Sequence, residues 1–161
     1  VDEDRAGGGF GQELAVALQG RVGVFLGGRG VGALVAMRAA CQVAENAEAK
    51  SFCGEIPEFD HNALVGFSTS EPDSDFLLVT IRDPREHPRV DARFAPTLAI
   101  LRPGVAGVVE HTLPDGPWLS RLAAGILAVD LASVHLALRL ERDPTPVDVL
   151  VALKTTLAER P

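Results

Sequence analysis

The stretch RVGVFLGGRGVGALVAMRAACQVAENAE, from Arg21 to Glu48, decides the fold of this chain. Its first part, Arg21–Leu26, is a short apolar run rich in valine and phenylalanine, which is typical of a buried strand. The glycine-rich turn Gly27–Gly30 follows, and a helical pattern runs from Val31 to about Glu48. A strand, a tight turn and a long helix in this order predict one unit of a parallel α/β sheet.

The alternation of apolar runs, loops and helical patterns continues along the chain. We expect Asp75–Ile81 to be a central strand because it is the strongest of the later apolar runs. The other candidate strands are Lys50–Cys53, Ala63–Phe67, Thr97–Leu101 and, as an edge strand, Gly107–His111. Helices are predicted at Gln12–Leu18, Arg89–Ala95, Pro117–Glu141 and from Asp143-Pro-Thr-Pro onward, with Thr145 as N-cap and Pro146 as first helical residue.

This alternation predicts a three-layer α/β/α sandwich around a mainly parallel, five-stranded sheet. We expect one domain over residues 10–161, behind a flexible tail formed by the charged and glycine-rich residues 1–9. Ligands of such sheets bind beyond the carboxyl ends of the strands. The loops expected there are Gly27–Gly30, Gly54–His61 and Arg82–Arg89.

The composition excludes several classes of protein. Of the 161 residues, 47% are hydrophobic and 23% are charged, so the chain is neither disordered nor fibrous. The net charge of −7 repels nucleic acid and anionic membranes, and we expect no apolar run to be long enough to span a bilayer. Two cysteines exclude a disulfide scaffold, and no residues have the spacing of metal ligands. We expect a cytoplasmic protein.

The glycine-rich turn has three interpretations. Gly28-Arg-Gly-Val-Gly-Ala33 satisfies the pattern G-x-G-x-x-A, in which small residues let the backbone approach a pyrophosphate. The acidic residue that ends the next strand of a dinucleotide site is missing, because Glu45 and Glu48 lie inside the helical segment. The alternatives are a turn that binds a phosphosugar or another anion, and a turn whose glycines serve only close packing.

Three single residues carry candidate chemistry. Glu45 lies at the C-terminal end of the long helix, where the helix dipole disfavours negative charge. His61 lies in an acidic loop and can donate or accept a proton near neutral pH. Lys154 lies in a helical stretch that is otherwise apolar. The structural alternatives are a solvated helix end, a solvent-exposed loop and a lysine that extends to solvent.

Together these motifs resemble the second half of the bacterial and archaeal bifunctional phosphoglucose/phosphomannose isomerases, which are built from two sugar isomerase (SIS) domains. The specific part of the resemblance is Glu45-Asn46-Ala47 combined with Pro57-Glu-Phe-Asp-His-Asn62. The motif Asp143-Pro-Thr-Pro146 and Lys154 support it. The resemblance covers roughly Glu13 to Leu157.

The resemblance implies a role for each matching residue. Glu45 matches the base that moves a proton between C2 and C1 of the sugar through a cis-enediol. His61 matches the histidine of ring opening, which is contributed across the interface of a homodimer. Lys154 and Thr145 match residues at the sugar. We also expect Arg29 and Asn62 to bind the phosphosugar substrate.

Two departures from the family pattern bear on activity. Glu48 replaces the lysine of E-N-A-K, and the glycine turn lacks the hydroxyl residue common in phosphate-binding SIS domains. The residues with which the family holds phosphate belong to its first domain.

The leading interpretation is an isomerase domain for glucose 6-phosphate or mannose 6-phosphate and fructose 6-phosphate, without metal or other cofactor. The alternatives are a silent domain that binds phosphosugars or mediates dimerisation, and a nucleotide-dependent oxidoreductase. The silent alternative includes a domain that is inactive without a preceding SIS domain.

Overall fold

The computed structural model describes residues 8–68 and 73–159, and its centre is a parallel sheet. The strands are β1 (Val22–Gly28), β2 (Ser51–Ile56), β3 (Asp73–Arg82) and β4 (Val105–Thr112). Their order across the sheet is β2-β1-β3-β4, and every neighbouring pair is parallel. The predicted α/β class is confirmed, as is the position of Gly107–His111 in an edge strand. The predicted number of strands is wrong, because the described residues form four and not five.

Helices cover both faces of the sheet. One face carries α1 (Gly8–Leu18), α2 (Val31–Asn46) and α6 (Trp118–Arg139). The other face carries α3 (Glu58–His61), α4 (Ala63–Phe67) and α5 (Pro88–Leu101). A short 3₁₀ turn, Arg102–Gly104, connects α5 to β4, and α7 (Asp148–Ala158) follows α6. These layers confirm the predicted α/β/α sandwich.

The side chains of β1 contribute to both hydrophobic cores because successive residues of a strand point to opposite faces. Phe25 packs in the core formed with α1, α2 and α6. Val24 and Leu26 pack in the core formed with α3, α4 and α5. All three side chains are almost completely buried, which explains why Arg21–Leu26 reads as a continuous apolar run.

Helix α6 is long and apolar enough to cross a membrane by length and composition, which we did not expect from its interrupted apolar runs. Near its middle, the carboxylate of Asp130 accepts two hydrogen bonds from the guanidinium of Arg38 in α2, each 2.9 Å long. Its small residue Gly125 packs against α2, since a Cβ at this position would lie 2.6 Å from Cγ2 of Val35. These contacts and the residues that α6 buries show that the helix packs against the rest of the protein.

Two predicted strands are helices. The run Ala63–Phe67 forms α4, whose inward residues are Ala63, Leu64 and Phe67. The run Thr97–Leu101 forms the second half of α5, which buries Phe94, Thr97, Leu98 and Leu101. Both sets have helical spacing, which runs of five residues do not distinguish from a buried strand. Pro96 lies inside α5, on its exposed side.

Other element boundaries also differ from the prediction. Residues 1–7 of the predicted tail 1–9 lie outside the described residues, and Gly8 and Gly9 belong to α1. Strand β2 continues through Ile56, so the first part of the predicted loop Gly54–His61 is extended.

The last helix begins at Asp148 with Val147 as N-cap, so the predicted N-cap Thr145 and first helical residue Pro146 are wrong. The backbone N–H of Thr145 instead donates to Asp143 Oδ1 at 2.9 Å. An aspartate that bonds the backbone two residues later forms a turn, which here takes the place of a helix start.

The imidazole of His111 in β4 stacks on the ring of Phe10 in α1, with centroids 3.9 Å apart. Burial disfavours the charged imidazole and lowers the pKa of His111 below its ordinary value of 6.5. The unfolded chain therefore takes up this proton at a higher pH than the folded chain does. The resulting loss of stability begins as the pH falls below about 6.5 and is complete below the folded pKa.

We predict that His111→Phe reduces the loss of stability between about pH 7.5 and pH 5.5, because phenylalanine keeps the stacked ring but cannot take up a proton. Urea denaturation of both proteins at the two pH values measures the free energy of unfolding. An identical pH dependence in the variant and the unaltered chain would contradict the role of His111.

Candidate active site

A cavity of about 950 Å³ lies beside the start of β2, where the end of α2 meets the start of α7. Its walls come from the last turns of α2 and the connector after them, from the first residues of β2 and from the segment that opens α7. The lining residues are Cys41, Ala44, Glu45, Glu48–Phe52 and Pro146–Leu150. Among the six predicted site residues, Glu45 is the one that lines this cavity.

In the motif Glu45-Asn46-Ala47, two residues anchor the end of α2 and one lines the cavity. The Asn46 amide donates to Oγ of Ser133 in α6 at 2.8 Å, and Ser133 is fully buried. Ala47 is also fully buried, and its N–H donates to the carbonyl of Val43. Glu45 points to the exposed side of the helix, so the two following residues fix the helix end while its carboxylate faces the cavity.

Arg142 also holds this helix end, although it is not among the predicted site residues. Its Nη1 donates to the carbonyl oxygens of Ala47 at 2.8 Å and Glu48 at 2.6 Å, and lies 3.4 Å from Glu48 Oε2. A cation is favoured here because the C-terminal end of a helix carries the negative end of its dipole. The signal in the sequence is an arginine just after a helix. Its partner, however, is a different helix, 95 residues away from it in the chain.

The C-terminal segment brings two predicted residues close to the cavity without placing either in its wall. Thr145 directly precedes the lining residue Pro146, and its N–H bond lowers the pKa of Asp143. Lys154 follows the lining residue Leu150 by four positions, which places both on the same side of α7. Both predicted residues are exposed.

His61 lies at the other end of β2 from Glu45. It is the last residue of α3, which follows the carboxyl end of the strand, whereas Glu45 lies by the first residue of the strand. Six strand residues span about 17 Å between the first and last Cα. One chain therefore does not bring His61 and Glu45 together.

The residues around His61 anchor its loop and leave the imidazole exposed. Phe59 is buried in the core beneath α3, and Asp60 accepts a hydrogen bond from Thr97 Oγ1 at 2.8 Å. Asn62 donates to Glu58 Oε1 at 2.8 Å, and its own Oδ1 caps α4. The arrangement parallels that at Glu45, since neighbouring motif residues fix the backbone around one exposed chemical group.

The glycine turn is closely packed and faces an acidic side chain. A Cβ at Gly28 would lie 2.0 Å from Glu86 Oε2, and a Cβ at Gly27 would lie 2.1 Å from the carbonyl oxygen of Gly32. Arg29 is exposed and pairs with Glu55 at 3.4 Å. A carboxylate at this position repels an anion, so the geometry favours the close-packing interpretation of the turn over a phosphate or pyrophosphate site.

The described part of the chain contains no cluster of three or more histidine, cysteine, aspartate or glutamate side chains that could hold a metal ion. Cys41 and Cys53 are both free and exposed. Although Cys53 is exposed as a residue, partial burial of its thiol and, to a smaller extent, the neighbouring Cys41 raise the pKa of this group.

The carboxyl of Glu86 is partly buried beside the glycine turn, which affects how the stability of the fold depends on pH. Burial raises the pKa of Glu86 above its ordinary value, so the folded state binds this proton more tightly than the unfolded chain does. The contribution of Glu86 to stability is therefore present at low pH and is lost as the pH rises through the pKa of the folded state. Glutamine in its place keeps an acceptor for the His87 N–H, which Glu86 Oε1 now bonds at 2.9 Å.

We predict that Glu86→Gln is more stable than the unaltered chain at pH 7, and that the difference shrinks towards about pH 4. The reason is that the variant no longer buries a charge. Urea denaturation at both pH values measures this difference, with Glu13→Gln on the exposed side of α1 as control. A difference that grows at low pH would contradict this account of Glu86.

Comparison with known proteins gives consistent matches along the chain. Residues 10–157 match the family described as the bacterial phospho-glucose isomerase C-terminal SIS domain. A bifunctional phosphoglucose/phosphomannose isomerase of Caldicellulosiruptor bescii is 28% identical over 151 residues, which are 92% of this chain and 44% of that protein. The protein of the same name from Aquifex aeolicus is 34% identical over 119 residues, or 72% of this chain and 36% of that protein. The chain thus spans less than half the length of these relatives.

Two solved structures with the same fold are described by names that contain a sugar phosphate. A glucose-6-phosphate isomerase like protein from Thermus thermophilus matches with a TM-score of 0.67 and 20% identity, covering 89% of this chain and 46% of that one. The C-terminal domain of glucosamine-fructose-6-phosphate aminotransferase from Francisella tularensis has a TM-score of 0.66 and 16% identity, covering 86% and 41%. At these identities the likeness shows a shared fold.

Proposed function

Because the chain belongs to the family of bacterial phosphoglucose isomerase C-terminal SIS domains, we propose that it is an aldose–ketose isomerase domain for hexose 6-phosphates. The substrates are glucose 6-phosphate or mannose 6-phosphate on one side and fructose 6-phosphate on the other. The observation that carries the proposal is that an anchored helix end presents the carboxylate of Glu45 to a cavity.

Glu45 has the chemistry that this reaction needs. Aldose–ketose isomerisation moves a proton from C2 of the open-chain aldose to C1, through a cis-enediol. In the same reaction the carbonyl oxygen at C1 gains a proton and the hydroxyl at C2 loses one, which leaves the carbonyl at C2. A carboxylate accepts the proton at C2, whose acidity the neighbouring carbonyl raises, and returns it to C1. The base has to stay in place during both transfers, and the bond from Asn46 to the buried Ser133 favours this.

The histidine of ring opening comes from a second copy of the chain in this proposal. Within one chain, His61 lies about 17 Å along β2 from the Glu45 end. If two copies pack with their β2 strands antiparallel, the start of one strand lies beside the end of the other. Strand β2 is at the edge of the sheet, and its Phe52 is 57% exposed, so this surface is free to meet another copy.

The same arrangement accounts for the other proposed substrate residues. Thr145 and Lys154 approach the cavity from the C-terminal segment of the chain that supplies Glu45. Arg29 and Asn62 lie at the carboxyl ends of the strands with His61, so they would approach the cavity of the partner copy. In this proposal, each of two sites takes residues from both chains.

A catalytically silent phosphosugar-binding domain is the second candidate. It is favoured by the separation of Glu45 and His61, which lie at opposite ends of β2, so that one chain by itself does not bring the two groups together. Calorimetry with fructose 6-phosphate and a coupled isomerase assay separate the two candidates. Binding with turnover supports the isomerase, and binding without turnover supports the silent domain.

We predict that Glu45→Gln lowers turnover by at least about 100-fold, because an amide cannot accept the C2 proton. The melting temperature should be unchanged, since Glu45 is exposed and, among the residues that the structure describes, accepts a single long hydrogen bond, from Gln42 at 3.4 Å. The coupled assay measures turnover, and Glu13→Gln serves as the matched control. Normal turnover in the Glu45 variant would rule out Glu45 as the base.

We also predict that two inactive variants, Glu45→Gln and His61→Asn, regain activity when they are co-expressed. Half of the dimers would then be mixed, and each mixed dimer would contain one intact site, giving about a quarter of the original activity. The assay compares the mixture with each variant alone. If the mixture is as inactive as its components, His61 does not act across a dimer interface.

A further inference from the structure

We propose that Arg142 is a positioning residue of this site, which holds the end of α2 and the start of α7 in the geometry that Glu45 needs. The proposal rests on the proposed function of Glu45. Arg142 is absent from the lining of the cavity, so it acts through the backbone that carries the lining residues. The motifs on which the resemblance is based do not include it.

The side chain of Arg142 closes the C-terminal end of α2. Helix α2 ends at Asn46, and the carbonyls of its cap residue Ala47 and of Glu48, just beyond the helix, receive hydrogen bonds from Nη1 at 2.8 and 2.6 Å. A guanidinium suits this position, because it has five donors and remains charged. Glu45 precedes the first of these carbonyls by two residues, so a shift of this helix end moves the base.

The main chain of Arg142 closes the C-terminal end of α6. Its N–H donates to the carbonyl of Ala137 at 2.9 Å, and the residue before it, Glu141, has a left-handed backbone with φ of 56°. This is the Schellman arrangement that ends many helices. One residue therefore joins the ends of two helices that also contact each other through Asn46 and Ser133.

Arg142 also determines where the segment leading to α7 begins. The connector 143–147 is short, and it is followed directly by the lining residues at the start of α7. In the described part of the chain, helix α7 buries none of its side chains, so few contacts of its own hold it beside the cavity. Loss of the Arg142 contacts would release two walls of the cavity together.

The ion pair between Arg142 and Glu48 is the weaker part of this contact. Glu48 Oε2 lies 3.4 Å from Nη1 and its side chain is 65% exposed, which makes the pair worth little by itself. The ion pair does, however, concern the position at which Glu48 replaces the lysine of the family pattern E-N-A-K. A lysine there would place a second cation beside the guanidinium, whereas Glu48 is compatible with it.

The test compares Arg142→Ala and Arg142→Lys with Arg139→Ala. Arg139 is a matched control, because it is an exposed arginine in the last turn of α6 that bonds Gln19 instead of α2. We expect Arg142→Ala to lower kcat by about 10- to 100-fold with a smaller change in KM, because misplacing the base slows the proton transfer. Arg142→Lys should recover most of the loss, and Arg139→Ala should stay within about twofold.

Amide hydrogen exchange gives a readout that does not depend on activity. We expect exchange in α7 and around residues 45–49 to accelerate in Arg142→Ala and not in Arg139→Ala. Unchanged kcat in Arg142→Ala, even with a lower melting temperature, overturns the positioning role, and so does unchanged exchange in α7. If the unaltered chain neither binds nor converts fructose 6-phosphate, the proposed function fails, while exchange still tests the anchoring by Arg142.

Discussion

The hydrogen bonds at the C-terminal end of α2 connect the fold of this chain to its chemistry. Arg142 donates there to the carbonyls of the cap residue Ala47 and of Glu48 just beyond the helix, and Asn46 is bonded to the buried Ser133. These contacts join α2, α6 and the segment leading to α7. Within the motif, Asn46 and Ala47 hold the helix end in place. Glu45 makes no such contact, so its carboxylate stays exposed on a fixed backbone.

The two ends of the sheet have different properties. At the carboxyl ends of the strands, Glu86 packs against Gly28, Arg29 is paired with Glu55, and His61 is exposed. At the opposite end lies the cavity with Glu45. An open α/β sheet is expected to bind ligands at its carboxyl edge, yet the cavity in this chain lies elsewhere. A site that needs groups from both ends has to combine two copies, or this chain with another domain.

The unit formed by β1 and α2 could be predicted from the sequence, because a buried strand, a glycine turn and a long helix each leave a distinct local pattern. The runs Ala63–Phe67 and Thr97–Leu101 could not, since a run of five residues is too short to separate helical from alternating burial. Glu45 stood out because an acid at a helix C-terminus is locally unfavourable. The roles of Arg142 and Glu86 could not be predicted, because their partners are distant in sequence and only the folded chain brings them together.

The most direct test of the account is the position of fructose 6-phosphate in crystals of the Glu45→Gln variant, in which turnover is expected to be blocked. We expect ligand density in the cavity between α2 and α7, with C1 and C2 of the sugar beside residue 45. Density at the glycine turn Gly27–Gly30, with the cavity empty of sugar, would contradict it.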